Sequence, residues 1–228
     1  MLLQQLMDKN EDLKKLLSGM PQDIRERCSL KLYKRNNYII KKGDEIKYVG
    51  ILCKGELNVL NEFANGSIYL FHVNEAIDFI GEMEVLANQP LAVVTNQAKS
   101  DCMVLKILKS DFLKWIEQDN YITSIVAKRL AIRLCHESPL QGYSHYYPAA
   151  HMIKRFIVEY VMNGFDNAKE VLINKKRQEI ANMLGISIKT VDRNIKKLKE
   201  QDLVTIKKGK IYVNEEQYLK LVDMIEVW

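Results

Sequence analysis

The sequence predicts an α+β chain. Helices and an antiparallel β-roll are expected over residues 1–110, a long dimerisation helix over 111–138, a hinge at 139–148, and a helix-turn-helix domain with a hairpin wing over 149–228. Three observations carry this. Residues 30–108 hold short apolar or alternating runs separated by turn residues. Residues 120–137 hold a helical pattern that is apolar on more than one face. Residues 174–213 hold two helical repeats around a glycine, then a basic hairpin pattern.

A chain of 228 residues, 47% hydrophobic and 28% charged, can bury a substantial core and fits two domains. Cys28, Cys53, Cys102 and Cys135 are widely spaced with no C-x-x-C pair, which indicates neither a zinc site nor a disulfide framework and suits a reducing compartment. No apolar run approaches the roughly 20 residues that cross a bilayer, and the first ten residues carry acid and amide side chains rather than a signal-peptide pattern. A cytoplasmic, unexported chain with no membrane partner is therefore expected.

In chain order, Leu2, Leu3, Leu6, Leu13, Leu16 and Leu17 have helical spacing up to a Gly19-Met20-Pro21 break, a helical lead-in. The strand-like runs are 38–40, 48–52, 57–60, 68–73 and 104–108, with Lys42-Gly43-Asp44, Gly55 and Asn65-Gly66 as turns, a pattern that implies a small barrel or roll. Ser110 is the expected N-cap of the next helix, with Asp111 at its positive end. From 120 to 137, Ile122, Ile125, Val126, Leu130, Ile132, Leu134 and Cys135 cover more than one helix face. One side is expected on the roll and the other on a second subunit; the alternative is a helix buried within one chain. Pro139, Gly142 and Pro148 are expected to break the pattern from 138 to 148, and helix resumes over 149–162 before Asn163-Gly164.

Between 174 and 210 there are 11 basic residues against four acids, a net +7 in a chain of net +5, so the remainder carries −2. A basic module on a slightly acidic body implies a polyanionic partner. Within it, Ala181 stands four residues before Gly185, a small side chain for close helix approach and a glycine for the tight turn. Ser187 is the expected N-cap of the second helix, which exposes Ile188, Lys189, Thr190, Asp192 and Arg193 near its start. In this motif the N-terminal part of the second helix enters the major groove of duplex DNA.

Arg193 is the first candidate for base contact, because a guanidinium fork fits guanine O6 and N7. Lys189 is expected to read guanine as a point charge or to touch phosphate, and Ile188 either to meet a thymine methyl or to make no contact. Asp192 either accepts from cytosine N4 or orients Arg193. Gln178, Ser187, Thr190, Lys196 and Lys197 are expected to hold phosphate oxygens. After the motif, 203–206 and 211–213 flank the Lys207-Lys208-Gly209-Lys210 turn as a wing, with Lys208 at its basic tip, and Asn214 caps a last helix through Ile225.

The order of roll, Gly81-Glu82 turn, long helix and winged helix-turn-helix resembles the Crp/Fnr superfamily of transcription regulators over nearly the whole chain. Gly43, Gly55, Gly66, Phe79-Ile80-Gly81-Glu82, Ala98-Lys99-Ser100, Arg177-Gln178-Glu179-Ile180, Gly185, Thr190-Val191 and Arg193 carry the resemblance. It implies a cyclic-nucleotide-binding-like roll (a double-stranded β-helix), a homodimer joined through the long helix, a palindromic promoter site, and RNA polymerase as a further partner if the chain activates. In the cyclic-AMP-binding members a Glu after Gly contacts ribose and an Arg-Ser or Arg-Thr pair grips the phosphate. Gly81 and Glu82 match the first part, whereas Ala92 and Val93 stand where the pair belongs and supply neither cation nor hydroxyl. In those members a Thr-Ser pair of the long helix reaches adenine, and Glu137 and Ser138 stand at the corresponding positions, a further departure. These six residues are the effector-pocket candidates, and cyclic AMP in its usual mode is not expected in them.

Other branches of the superfamily use other sensors. An iron-sulfur type needs clustered cysteines, and only Cys28 is near the start; a haem type needs axial ligands, for which His72 on a strand is a candidate, although the default role of a lone strand histidine is structural. Cys53, Cys102 and Cys135 are conceivable thiol switches whose default role is to act as small hydrophobes. A small apolar or organic-acid effector, or none, stays open, and no cofactor is evident. The rival function is a small-molecule-binding module or enzyme with an incidental basic tail. Against catalysis, His72, His136, His145 and His151 sit in no recognisable nucleophile, metal or acid-base arrangement. A winged helix that docks on RNA or protein is a second rival; stacking aromatics would favour RNA, and 187–197 has none.

Overall fold

The computed structural model describes residues 2–64, 66–165 and 169–225, apart from the side chains of residue 2 and of residues 136–145. The chain divides into two units, 1–136 and 137–228.

The first unit opens with three short helices, α1 (Leu2–Lys9), α2 (Glu11–Leu16) and α3 (Gln22–Arg27). Strands β1 (Ser29–Tyr33), β2 (Tyr38–Ile40), β3 (Tyr48–Lys54), β4 (Glu56–Glu62), β5 (Ile68–Glu75) and β6 (Asp78–Ile80) follow, then α4 (Glu82–Leu86), β7 (Thr95–Ala98) and β8 (Cys102–Leu108). They form two four-stranded antiparallel sheets, ordered β1-β8-β3-β6 and β2-β7-β4-β5. Leu52, Leu57, Val59, Ile80, Ala98 and Val104 fill the space between them and make the expected roll. The outer face of the first sheet carries Val49, Ile51, Leu105 and Ile107, which join Leu13, Leu17, Ile24, Phe112 and Trp115 in a second core. β3 is thus buried from Val49 to Cys53 on both faces, which explains its continuous apolar run.

Helices α5 (Lys109–Gln118) and α6 (Asn120–Tyr146) complete this layer. Two expectations are corrected here. The residue preceding α5 is Leu108, with no side-chain cap, so Ser110 lies inside the first turn; Asp111 instead accepts from Arg27 Nη2 and Nε at 2.8 and 2.9 Å. The helix expected to break from 138 runs on through 139 and 142 to Tyr146, leaving a two-residue interruption at Tyr147-Pro148. In α6, Ile122 and Val126 are buried, whereas Ile132 and Leu134 are 48% and 68% exposed, so the described part of the helix has a second apolar face that its own chain does not cover.

The second unit contains α7 (Ala149–Val161), β9 (Glu170–Ile173), α8 (Arg177–Leu184), α9 (Ile188–Glu200), β10 (Thr205–Lys207), β11 (Lys210–Asn214) and α10 (Glu215–Val222). Its core joins Ile153, Ile157, Ile180, Val191, Ile195 and Val213. β9 extends the hairpin to a three-stranded sheet, order β10-β11-β9, and has no counterpart in the sequence expectation. α10 ends at Val222, three residues short of Ile225.

Candidate nucleic-acid interface

α8 and α9 form a helix-turn-helix. The backbone N–H of Lys176 donates to Glu179 Oε2 at 2.7 Å and closes the start of α8. Gly185 ends it in the left-handed region, φ 65°, where its N–H donates to Ala181 O; Ile186 N–H reaches the same carbonyl at 3.1 Å. Ala181 is 2% exposed, as close helix approach requires. Ser187 caps α9: its Oγ accepts from Thr190 N–H at 3.1 Å, with the Thr190 hydroxyl 2.9 Å away.

Val191, Asn194, Ile195 and Leu198 form the buried face of α9, and Asn194 Nδ2 donates to Thr190 O at 2.8 Å. The opposite face presents Ile188, Lys189, Arg193, Lys196 and Lys197, all exposed. Lys189, Arg193 and Lys197 take part in none of the ion pairs among the described residues, which leaves them available to an anion. Lys196 lies 3.9 Å from Glu200, a solvent-exposed pair that a phosphate can displace. Asp192 faces Arg177 of α8 at 3.4 Å. Neither role expected for Asp192 includes this pair, which links the two helices at their polar edge. Gln178 Nε2 donates to Asn182 Oδ1 at 2.7 Å on the exposed side of α8.

The wing turns at Lys208 and Gly209, both with positive φ (47° and 77°), as a two-residue hairpin demands. Lys208 and Lys210 are exposed, whereas Lys207 is clamped by both Glu170 oxygens at 2.6 Å and lies 5.1 Å from the Tyr212 ring centre. Sequence reading missed this partner because Glu170 belongs to β9.

In the first unit, Gly81 holds φ 80° at the start of α4, and a Cβ there would meet Tyr48 O at 3.3 Å, so the turn requires glycine. Glu82 is 2% exposed and bonds Arg133 Nη1 of α6; Arg133 Nη2 bonds Asp78 at 2.6 Å, and Arg129 bonds the other Asp78 oxygen at 2.8 Å. Burial pushes the Glu82 carboxyl above its ordinary value and Arg133 opposes the shift. Ala92 is buried, with its N–H on Asp44 O at 2.8 Å, and Val93 is exposed with its N–H on Glu84 Oε1 at 3.1 Å. Neither supplies a side-chain group that could bind a phosphate. Glu137 and Ser138 lie outside the described side chains.

Cys53 is buried, its thiol pushed up to about 11 by burial, and Cys102 is buried and raised for the same reason; both occupy core positions as small hydrophobes. Cys28, half-buried, is also pushed up to about 11 by burial. Among the described residues no three His, Cys, Asp or Glu side chains converge as a metal site would, and no helix is long and apolar enough to cross a membrane.

Comparison with known proteins locates the same two parts. Residues 30–119 match the cyclic nucleotide-binding domain family, and residues 152–222 match the Crp-like helix-turn-helix domain family. The cAMP-activated global transcriptional regulators CRP of Pasteurella multocida and Salmonella typhimurium are both 24% identical to this chain, over 78% of it and 86% of their own length. Among solved structures, the c-di-GMP responsive global regulator CLP of Xanthomonas campestris superposes with a TM-score of 0.74 at 15% identity, covering 86% of this chain and 99% of that one. A Crp/Fnr-family transcriptional regulator from Eubacterium rectale gives 0.68 at 16% identity over 93% and 94%. These matches, with the roll and the Ser187-capped helix, identify the chain as a member of the Crp/Fnr family of DNA-binding transcription regulators.

Proposed function

We propose that the chain binds a two-fold symmetric duplex site as a homodimer, and that its activity answers to a signal other than cyclic AMP. The observation that carries the DNA reading is the polar face of α9, where Lys189, Arg193 and Lys197 are exposed and unpaired opposite Val191, Ile195 and Leu198. Arg193 and Lys189 read base edges with Ile188 beside them; Ser187, Thr190, Gln178, Lys196, Lys197 and the wing's Lys208 hold backbone oxygens.

Two recognition helices must reach successive major grooves roughly 34 Å apart, which requires a second copy. The exposed Ile132 and Leu134 of α6 support a helix-to-helix interface. Ala92 and Val93 in place of a phosphate-binding pair support a different signal. If the chain activates transcription, RNA polymerase is a further partner.

Footprinting on genomic fragments, with and without cell extract and with and without cyclic AMP, tests the proposal. The expected result is a palindromic footprint indifferent to cyclic AMP. A footprint that appears only with cyclic AMP, or a monomeric chain under binding conditions, would overturn it.

A further inference from the structure

A cleft of about 210 Å³ opens on the roll, and none of Gly81, Glu82, Ala92 and Val93 is in its lining. Its walls include Ile39, Ile40, Ile46, Ile80 and Val104, and two lysines line it, Lys47, which is paired with Glu45, and Lys106. Lys106 lies on β8 two residues after Val104, so strand alternation puts it on the roll-interior face, opposite Gly50 of β3. It is half-buried and takes part in no ion pair among the described residues; its Nζ sits 4.7 Å from the centre of the Tyr48 ring. Burial and the neighbouring Lys31 both lower its affinity for a proton, as expected for a cation that the fold leaves uncompensated. The two lining carboxylates are already engaged, Asp44 with Lys41 N–H at 2.9 Å and Glu45 with Lys47 at 3.0 Å.

We propose that this cleft is a binding site for a small organic monoanion, a carboxylate on a branched apolar body, whose charged end pairs with Lys106. An apolar wall around one unpaired cation selects both features: the isoleucines favour a hydrocarbon body, and the half-buried ammonium gains a charge-assisted hydrogen bond. At ~30 Å³ per water-sized volume the cleft holds about seven non-hydrogen atoms, the size of 3-methylbutanoate. The site also adjoins the Gly81 turn, which leads into α4. A Cβ at Gly81 would lie 3.6 Å from Ile40 Cδ1 and 3.9 Å from Ile46 Cδ1, and Glu82, the next residue, bonds Arg133 of α6. The inference concerns the first unit alone and does not depend on the DNA-binding reading.

Calorimetric titration of the full chain with 3-methylbutanoate, its neutral amide and inorganic phosphate tests it. The carboxylate should saturate with a Kd of about 1 mM. The amide, and the carboxylate with Lys106→Gln, should bind about tenfold or more weakly, and Lys106→Arg should retain binding within about threefold. Amide resonances of Gly50 and Gly81 should shift with the carboxylate, and the circular dichroism of Lys106→Gln should match that of the unaltered chain. Absence of saturable binding, equal affinity for the amide, equal affinity in Lys106→Gln, or phosphate binding as tightly as the carboxylate would each overturn the proposal.

Discussion

Replacing Arg133 with Met should destabilise the first unit in a way that depends on pH. Arg133 is the shared partner of Glu82, 2% exposed, and of Asp78, and its loss leaves Glu82 as a buried carboxylate with no cation. Breaking a buried pair at one end costs about 3 to 5 kcal/mol, which in a unit of this size lowers the unfolding midpoint by roughly 10 to 17 °C. Glu82 already has its carboxyl raised above the ordinary 4.5 by burial, and Arg133 is the main group opposing that shift, so the variant raises it further. A raised folded-state value favours the folded state below the unfolded value and loses that contribution as pH rises through the folded one. Arg133→Met should therefore be most damaging at pH 7 and recover part of the loss at about pH 5. Adding Glu82→Gln removes the stranded charge and should restore stability at pH 7. Trp115, fully buried in this unit, supplies the fluorescence signal for urea unfolding. An equal loss at both pH values, or no gain from Glu82→Gln, would refute the reasoning.

Other outcomes follow from the interface. Arg193→Ala should relax discrimination at one base position by about 1 to 3 kcal/mol, whereas Lys197→Ala should weaken specific and random DNA alike and reduce the log–log salt slope by about 0.9; competition binding at several salt concentrations separates them. Ser187→Ala removes the cap seen at 3.1 Å and should lower the stability of the second unit by about 1 kcal/mol in thermal unfolding, with Ser187→Asp retaining it. Leu134→Glu places a charge in the uncovered face of α6 and should shift the chain to a monomer in light scattering while leaving Trp115 fluorescence unchanged.

What could be read from sequence was local. The Ser187 cap, the Gly185 turn and the Lys208-Gly209 hairpin are each decided within four residues by propensity and hydrogen-bond reach, and they appear where expected. β1, β6 and β7 escaped because strands of three to five residues are too short to carry a periodic signal, and their existence is set by partners elsewhere in the chain. The break expected from 138 failed because turn-forming residues weigh less than the continuity of a 27-residue helix. Contacts across sequence were invisible: Arg133 meets Glu82 from 51 residues away, and Arg177 pairs with Asp192 from 15 residues away on the neighbouring helix. At the roll, two missing side chains argued against a phosphate site, but the cleft beside Lys106 became visible only once Ile40, Ile80 and Val104 were brought together.

The clamp of Lys207 by Glu170 changes what the basic module looks like from a distance. A lysine held at 2.6 Å by two carboxylate oxygens is, beyond a Debye length of about 8 Å, a dipole whose field nearly vanishes. Lys207 therefore contributes little to drawing a duplex in from solution, and the long-range attraction rests on cations such as Lys189, Arg193, Lys197 and Lys208. The module thus separates two tasks by chemistry. Unpaired cations set how fast the chain finds DNA and how steeply that rate falls with salt, while Lys207 fixes the shape of the wing that arrives there.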